Sequence, residues 1–326
     1  MELALYHPVL GYYSKTARQE DYYTNVDVHP VFGEILARFL LSEYKTGALE
    51  LQVVELGAGE GKLCRHILSS LKEISPSVYE KCLYICVERS FARRGALESV
   101  KQTFPGRMSI REDFDFGPES FSGVVLSNEF FDALPFRRVL QEGGTLKEIR
   151  VGYGFKETTE PAAKELGDYF ERMGEYPKDG AQAEAQISAV EWMKKIARSI
   201  KRGAVLSIDY GLEAREILSI IRPQGTALCH YHHSTHRDFY ERIGEQDITA
   251  HVNFSPLIQE GEKWGLTYSF MTQSRFILEN GFEKAVEKIE KITYPKARLK
   301  LSSAIKSLIH PQSMGGTFKV LLQKKV

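Results

Sequence analysis

Short apolar runs alternate with amphipathic stretches along the N-terminal part of the chain. Continuous runs such as LQVVEL, LYICV and GVVLS predict buried β-strands, and apolar positions three or four residues apart predict helices. The predicted strands are residues 51–56, 83–87, 108–111 and 123–127, and the predicted helices are residues 31–44, 62–72 and 92–103. Because strand and helix alternate, the pattern predicts an α/β fold with a doubly wound parallel sheet.

The alternation breaks after Pro135. Gly143-Gly144 predicts a turn between two strands, and Gly203 is expected to cap the C-terminus of a helix. The further predicted elements are the two strands within residues 136–155, a helix at 187–200, and strands at 204–208 and 316–323. Loops or irregular structure are predicted for residues 1–25, 156–183 and 222–253.

This pattern predicts three parts in the chain. Residues 1–135 are expected to hold the N-terminal segment and the cofactor-binding half of the sheet domain. Residues 136–183 are expected to form a cap insertion, and residues 184–326 the remainder of the sheet with substrate-side loops at 222–253.

The composition excludes several classes of protein. Lys and Arg number 43 and Asp and Glu number 43, and this balance argues against a nucleic-acid partner. The chain has no apolar run long enough for a membrane-spanning helix, and it shows no secretory signal. Its four cysteines form no C-x-x-C pair, which argues against a zinc site. Cys82 and Cys86 lie around an apolar run, as free cysteines do, and this fits a reducing compartment. We therefore expect a cytoplasmic protein without membrane insertion.

A glycine-rich turn follows the first predicted strand. Gly57, Gly59 and Gly61 allow a sharp turn and a close approach to a ligand, and the next helix presents unpaired N–H groups there. Such units commonly bind nucleotides. The dinucleotide pattern G-x-G-x-x-G is not matched, and Leu63 stands where a P-loop needs a hydroxyl side chain.

Acidic residues at three strand ends indicate which nucleotide binds. Glu55, just before the turn, suits a cationic ligand without phosphates; Glu88 can accept both ribose hydroxyls, and Asp113 can accept the adenine amino group. The carboxyl ends of parallel strands meet at one edge, so these features should converge. They predict S-adenosylmethionine, whose sulfonium and ammonium groups are cations. The alternative is a merely structural turn beside solvated acids.

Motifs in a fixed order cover nearly the whole chain and carry a family resemblance. They are His7-Pro8 to Gly11-Tyr12-Tyr13, Asp21-Tyr22-Tyr23-Thr24 with Phe32-Gly33-Glu34, Val54 to Gly61, Ser127-Asn128-Glu129-Phe130-Phe131-Asp132-Ala133-Leu134-Pro135, Ile208 to Gly211, Asp247 to Phe254, Thr272-Gln273, and Met314-Gly315 with Phe318-Lys319-Val320. On these residues the chain resembles the MidA-type family of class I methyltransferases, whose mitochondrial members are complex I assembly factors.

The resemblance implies a Rossmann-like, seven-stranded methyltransferase sheet with a capping substrate insertion. It also implies methylation of an arginine on a protein substrate, which for the mitochondrial relatives belongs to respiratory complex I. A homodimer is a further prediction. The chain departs from the family at Ala58, where proline is frequent, and at Asn25-Val26, where Ser-Pro is usual. It begins close to the His-Pro signature, so an N-terminal helix common in the family is expected to be missing.

Candidate catalytic residues follow the fourth predicted strand. Carboxylates at Glu129 and Asp132 would grip a guanidinium bidentately, and Asn128 would orient the acceptor or the cofactor amine. The alternatives are a structural hydrogen bond for Glu129 and a helix N-cap for Asp132. Phe130 and Phe131 are expected in the core rather than in a cation cage.

Other polar residues have weaker assignments. Thr24, with Tyr22 and Tyr23, is expected to close over the cofactor or to form a packing turn, and Asp209 to cap a turn. His251 is expected to be structural, and the alternative is a proton acceptor. The histidines of one loop invite a metal, but no metal is predicted, and a solvated or substrate-facing loop is favoured. They are His230, His232, His233 and His236.

Two further functions remain open at this point. The same scaffold serves small-molecule and other amino-acid methyltransferases. The third hypothesis is a cofactor-binding assembly chaperone for a respiratory complex, since a fold does not settle a function.

Overall fold

The structure is a computed structural model that describes residues 1–15, 25–45, 51–219 and 221–325. Contacts group the chain into two units. The sheet unit comprises Tyr23–Phe130, Ile196–Asp209 and Gly265–Val326. The insertion unit comprises Met1–Tyr22, Phe131–Lys195 and Tyr210–Trp264. The boundaries expected at residues 135 and 183 stay predictions.

Strands and helices are numbered in chain order. The strands are β1 Gln52–Leu56, β2 Leu83–Val87, β3 Met108–Arg111, β4 Phe121–Asn128, β5 Arg137–Glu142, β6 Thr145–Val151, β7 Glu157–Pro161, β8 Gln182–Ala185, β9 Ile200–Leu212, β10 Leu228–Tyr231, β11 Ser234–His236, β12 Asp247–Thr249, β13 Val252–Asn253, β14 Thr267–Thr272 and β15 Phe318–Lys325. The helices are α1 Glu2–Tyr6, α2 Asn25–Val28, α3 Val31–Lys45, α4 Lys62–Ile74, α5 Pro76–Tyr79, α6 Phe91–Thr103, α7 Lys164–Met173, α8 Ile187–Ser199, α9 Ala214–Ile217, α10 Phe254–Lys263, α11 Gln273–Asn280, α12 Phe282–Lys291, α13 Pro295–Ile309 and α14 Met314–Thr317, with short 3-10 helices at Tyr12–Ser14 and Tyr153–Phe155.

The sheet unit is built on seven strands in the order β3-β2-β1-β4-β9-β15-β14. The pairs β1–β2, β1–β4, β2–β3 and β4–β9 are parallel, and β14–β15 is antiparallel. Their apolar runs are buried because helices cover both faces of such a sheet. The predicted α/β doubly wound sheet is confirmed. The strand order reverses between β1 and β4, which is where a ligand crevice forms at the carboxyl ends.

The insertion unit carries two small antiparallel sheets, β7-β6-β5-β8 and β11-β10-β12. The two strands predicted around Gly143-Gly144 are confirmed as β5 and β6. The prediction of irregular structure at 156–183 was wrong, because β7, α7 and β8 lie there. All residues of β7 are exposed, so no hydrophobic alternation marks it. Helix α7 does bury one stripe, which the polar composition obscured.

Other predictions were wrong for similar reasons. Residues 222–253 contain β10 to β13, and residues 1–25, predicted as loop, contain α1 and the start of α2. Gly203 does not cap a helix: α8 ends at Ser199, and Gly203 lies inside β9 with φ +135°. A Cβ there would stand 2.0 Å from the carbonyl oxygen of Gly123 on β4. Close approach of two strands therefore explains this glycine.

A search of the described residues found no helix with both the length and the apolar character needed to cross a membrane.

Candidate active site

The carboxyl ends of the central parallel strands form one level edge. Leu56 of β1 pairs with Val87 of β2 on one side and with Ser127 of β4 on the other. The residues that follow these strands therefore begin their loops side by side. The edge therefore brings together the glycine turn after β1 and the ends of β2 and β4.

The glycine turn adopts a left-handed backbone at all three glycines. The φ angles are +65° at Gly57, +54° at Gly59 and +80° at Gly61, a region that side chains with a Cβ rarely enter. A Cβ at Gly57 would lie 2.9 Å from the Phe130 ring, whereas a Cβ at Gly59 would meet nothing within 4 Å. The turn is therefore packed on one side and open at Gly59, just before α4 begins.

Glu88 ties the glycine turn to the end of β2. Its carboxylate accepts hydrogen bonds from the backbone N–H of Gly59 and of Ser90, both at 2.8 Å. These bonds fix a buried carboxylate beside the open part of the turn. Asp113 lies two residues beyond β3 and is exposed.

Glu55 lies on β1 within the core of the sheet unit. Its side chain is buried and accepts a hydrogen bond of 2.7 Å from the Tyr84 hydroxyl. Burial raises the pKa of Glu55 to about 8, so its carboxyl is mostly neutral at pH 7. The predicted contact of Glu55 with a cationic cofactor stays a prediction, and the charge on which it was argued is largely absent at neutral pH.

Asn128 and Glu129 meet Asn25 at the end of β4. The Glu129 Oε1 atom accepts hydrogen bonds of 3.0 Å from the backbone N–H of Asn25 and from the Asn128 side chain. The Asn25 side chain donates to Asn128 Oδ1 at 3.4 Å. Asn25 is fully buried, and its Oδ1 atom has no hydrogen-bond partner. Sequence reasoning missed Asn25, because no local spacing connects it with Asn128 and Glu129.

The backbone at Glu129 is strained, and hydrogen bonds to β9 hold it in that conformation. Its φ of +51° is rare for a residue with a side chain. The N–H of Glu129 donates to Ile208 O at 2.9 Å, and the N–H of Phe130 donates to the buried Asp209 at 3.2 Å. Asp209, expected to cap a turn, therefore stabilises the turn that places Glu129.

Asp132 belongs to the insertion unit. It is buried and accepts a hydrogen bond from the Tyr210 hydroxyl. Burial raises the pKa of Asp132 to about 7, and the nearby charge of Asp247 adds to the shift, against the hydrogen bond from Tyr210. Residues 131–134 form a turn rather than a helix, so the alternative of a helix N-cap was wrong. Phe131 is buried in the core, as expected.

The remaining assignments divide between described and undescribed residues. Thr24, with Tyr22 and Tyr23, lies outside the described residues. The His251 ring contacts the Tyr210 ring edge-on, with centroids 5.4 Å apart. His230 interacts with Thr249 at 3.0 Å.

Potential metal ligands converge at one place within the described residues, and the loop histidines are not part of it. The group is Glu55, Cys64 and Cys86, all buried. Burial raises the pKa of the Cys64 thiol, and the hydrogen bond that the Cys86 thiol donates to Cys64 raises the pKa of Cys86, so both sulfurs keep their protons. Protonated thiols are poor metal ligands.

Comparison with known proteins identifies the family. A family model described as "Putative S-adenosyl-L-methionine-dependent methyltransferase" matches residues 35–272, which is more than half of the chain. The chain belongs to the MidA-type family of S-adenosylmethionine-dependent methyltransferases. Two relatives are the mitochondrial protein arginine methyltransferases NDUFAF7 of Danio rerio, 26% identical over 98% of this chain and 81% of the relative, and of Homo sapiens, 24% identical over 98% and 77%.

Solved structures agree with this membership of the MidA-type family. A Burkholderia thailandensis protein with bound S-adenosyl-homocysteine is 29% identical, with a TM-score of 0.85, over 99% of this chain and 86% of that one. A native structure of a protein from the same organism is 30% identical, with a TM-score of 0.86, over 99% and 85%. The family resemblance and the fold class that the sequence predicts are both confirmed.

S-adenosylmethionine is the cofactor of this MidA-type chain. The edge of the sheet fits it, because the polar groups there are acceptors suited to a cation with hydroxyl and ammonium groups. The Glu88 carboxylate would hold the ribose hydroxyls, and the unpartnered Asn25 Oδ1 would accept from the ammonium group. The open space at Gly59 gives the backbone room to approach the ligand.

Proposed function

We propose that this MidA-type methyltransferase transfers the methyl group to an arginine guanidinium of a protein substrate. Support comes from the relatives, which are protein arginine methyltransferases by name and align over nearly the whole chain. A subunit of respiratory complex I as substrate, a homodimer and a cytoplasmic location stay predictions.

The observation that carries the proposal is the fixed carboxylate of Glu129 at the end of β4. Hydrogen bonds from Asn25 and Asn128 hold one of its oxygens, and the strained backbone fixes its direction. Arginine binds carboxylates through two parallel N–H donors, which also aligns the acceptor nitrogen.

The chemistry requires alignment more than acid–base power. When bound, the cofactor supplies an electrophilic methyl group on its sulfonium. A guanidinium nitrogen forms the new N–C bond as the S–C bond breaks, and the methylated guanidinium then loses a proton to solvent or to a nearby base. Glu129 would bind the guanidinium and stabilise its charge during this step.

Asp132 is the second carboxylate predicted to act on the substrate, and its role stays a proposal. With a pKa of about 7 it is suited to accept a proton at neutral pH. Tyr210, which donates to it, would hold that carboxyl in place.

The test replaces Glu129 by glutamine, which keeps the size of the side chain and removes its charge. The purified chain is incubated with methyl-tritiated S-adenosylmethionine and a protein extract, and the labelled protein is hydrolysed for amino-acid analysis. We expect tritium in methylarginines, and a rate roughly 100-fold lower for Glu129→Gln because the guanidinium loses the carboxylate that aligns it.

The matched control is Glu73→Gln, which changes an exposed glutamate in α4. It should leave the rate unchanged, and both variants should still bind the cofactor. Tritium in another amino acid or in a small molecule would reject arginine as the acceptor. An undiminished rate for Glu129→Gln would reject the role of this carboxylate.

A further inference from the structure

A cavity of about 520 Å³ lies in the insertion unit, and none of the residues assigned to the cofactor lines it. Its lining includes the end of the β6–β7 connection and the segment after β11. The charged and aromatic residues of the lining include Arg138, Phe155, Glu157, Asp238, Tyr240 and Glu241. Neither the sequence motifs nor the methyltransferase chemistry uses any of them.

One wall of the cavity is a preformed aromatic face. The rings of Phe155 and Tyr240 stack with centroids 6.0 Å apart and an interplanar angle of 17°. The Tyr240 hydroxyl donates to Glu157 at 2.7 Å, and Arg138 pairs with the same carboxylate. Burial favours the neutral form of Glu157, but these hydrogen bonds outweigh it and lower its pKa. The wall therefore stands ready without rearrangement of its polar groups.

The connection that supplies Phe155 is costly to the free protein. Phe155 has a φ of +58° and is 56% exposed, and the neighbouring Tyr153 is fully exposed. A left-handed backbone is strained at a phenylalanine, and more than half of this residue's surface stays exposed to solvent. Exposed aromatic side chains at the rim of a cavity are typical of a binding surface.

The charged side chains that line the cavity determine which charge on a bound group is favoured. Arg138 donates to Glu157 and, at 2.8 Å, to Gln182, while Arg237 donates to the carbonyl oxygens of Gln224 and Gly225 at 2.7 and 3.0 Å. Both cations are thus engaged within the wall.

The carboxylates of Asp238 and Glu241 are each 63% exposed. Glu241 pairs with Arg242 at 3.4 Å, a surface pair of little strength, and one oxygen of Asp238 lies 3.3 Å from a ring nitrogen of His236. Carboxylates beside an aromatic face favour a cation on an apolar stem over an anion.

We propose that this cavity binds a lysine or arginine side chain of the protein substrate, at a position other than the methylated residue. The stem of that side chain lies along the Phe155 and Tyr240 rings, and its charge faces Asp238 and Glu241. The proposal rests on the proposed function, because it takes the substrate to be a protein. It adds a docking contact that selects substrates with a second basic residue.

The test measures binding of a fluorescein-labelled peptide in which lysine alternates with glycine, by fluorescence anisotropy on the full chain. Lysine is not the proposed methyl acceptor, so the peptide reports on docking alone. We expect binding that is lost when the lysines are acetylated. Phe155→Ala, and separately the double change Asp238→Asn with Glu241→Gln, should each weaken it about tenfold.

Tyr294→Ala is the matched control, since Tyr294 is an exposed aromatic residue of the sheet unit. It should leave the affinity for the lysine peptide unchanged. Equal affinity of all variants, absence of binding by the unmodified chain, or preference for a peptide of glutamate and glycine would each overturn the proposal. If the proposed function alone fails, no methylarginine forms while Phe155-dependent binding persists.

Discussion

Glu55 illustrates how the surroundings of one residue change its chemistry. The side chain lies two positions before the glycine turn, yet it is buried against Tyr84 rather than presented to solvent. Burial disfavours the charged form, and the pKa of Glu55 rises from 4.5 to about 8. A neutral carboxyl can take part in a hydrogen bond but contributes little attraction to a cation.

This shift predicts a dependence of stability on pH. Below pH 4.5 Glu55 is protonated in both the folded and the unfolded chain, and between pH 4.5 and about 8 the unfolded chain loses the proton that the folded chain keeps. The contribution of Glu55 to the free energy of unfolding therefore falls as the pH rises through this window. Glu55→Gln should have a higher free energy of unfolding than the unmodified chain, and this difference should be a few kcal/mol larger at pH 8 than at pH 5. Urea unfolding of both proteins at both pH values measures this. The same difference in the free energy of unfolding at pH 5 and pH 8 would contradict the prediction.

At the residue scale, the sequence predicts the placement of a side chain well where that placement depends on position along a strand. Glu88 and Glu129 follow strand ends, and the parallel sheet brings both to the same edge. Sequence reasoning missed Asn25, whose contact with Glu129 spans 104 positions in the chain. The left-handed backbone of Glu129 was also beyond prediction, because it is held by tertiary hydrogen bonds that the N–H groups of Glu129 and Phe130 donate to β9.

At the scale of elements, a pair of glycines sets the distance between β4 and β9. Gly123 and Gly203 are paired in register, and a Cβ on Gly203 would stand 2.0 Å from Gly123 O. Gly203→Ala should therefore destabilise the chain by about 3 kcal/mol, because strand backbones cannot shift as a side-chain tip can. The free energy of unfolding in urea measures the effect.

Gly95→Ala is the counterpart, since Gly95 lies in α6 with nothing within 4 Å of its Cβ position. It should stabilise the chain by up to about 1 kcal/mol, because alanine favours helix over glycine. Equal effects of the two substitutions would show that strand packing is not the cause.

Elements were predictable where their hydrophobic pattern was complete. Strands β1, β2 and β4 are largely apolar runs, and the Gly143-Gly144 turn marked β5 and β6. Strand β7 was missed because every residue in it is exposed, so pairing with β6 rather than burial makes it a strand. The helix predicted to continue to residue 200 ended one residue earlier, and its supposed capping glycine proved to be a strand residue.

At the scale of the whole molecule, the fold class followed from the alternation of strand and helix, but the strand order did not. The pattern alone could not place β9 beside β4 or the antiparallel pair β14–β15 at the edge. Such pairings depend on contacts far apart in sequence. The family resemblance supplied the seven-stranded expectation that periodicity could not.

The central claim is that the intact chain binds S-adenosylmethionine at the glycine turn, and calorimetric titration tests it most directly. The unmodified chain should bind S-adenosylmethionine saturably and should not bind NADH. Gly59→Val should weaken binding at least about tenfold, because a β-branched side chain is strained at φ +54° and enters the open space of the turn. Gly143→Val, at a similar φ of +60° in the β5–β6 turn, should bind as the unmodified chain does. Absence of binding, or equal weakening by both substitutions, would contradict the account.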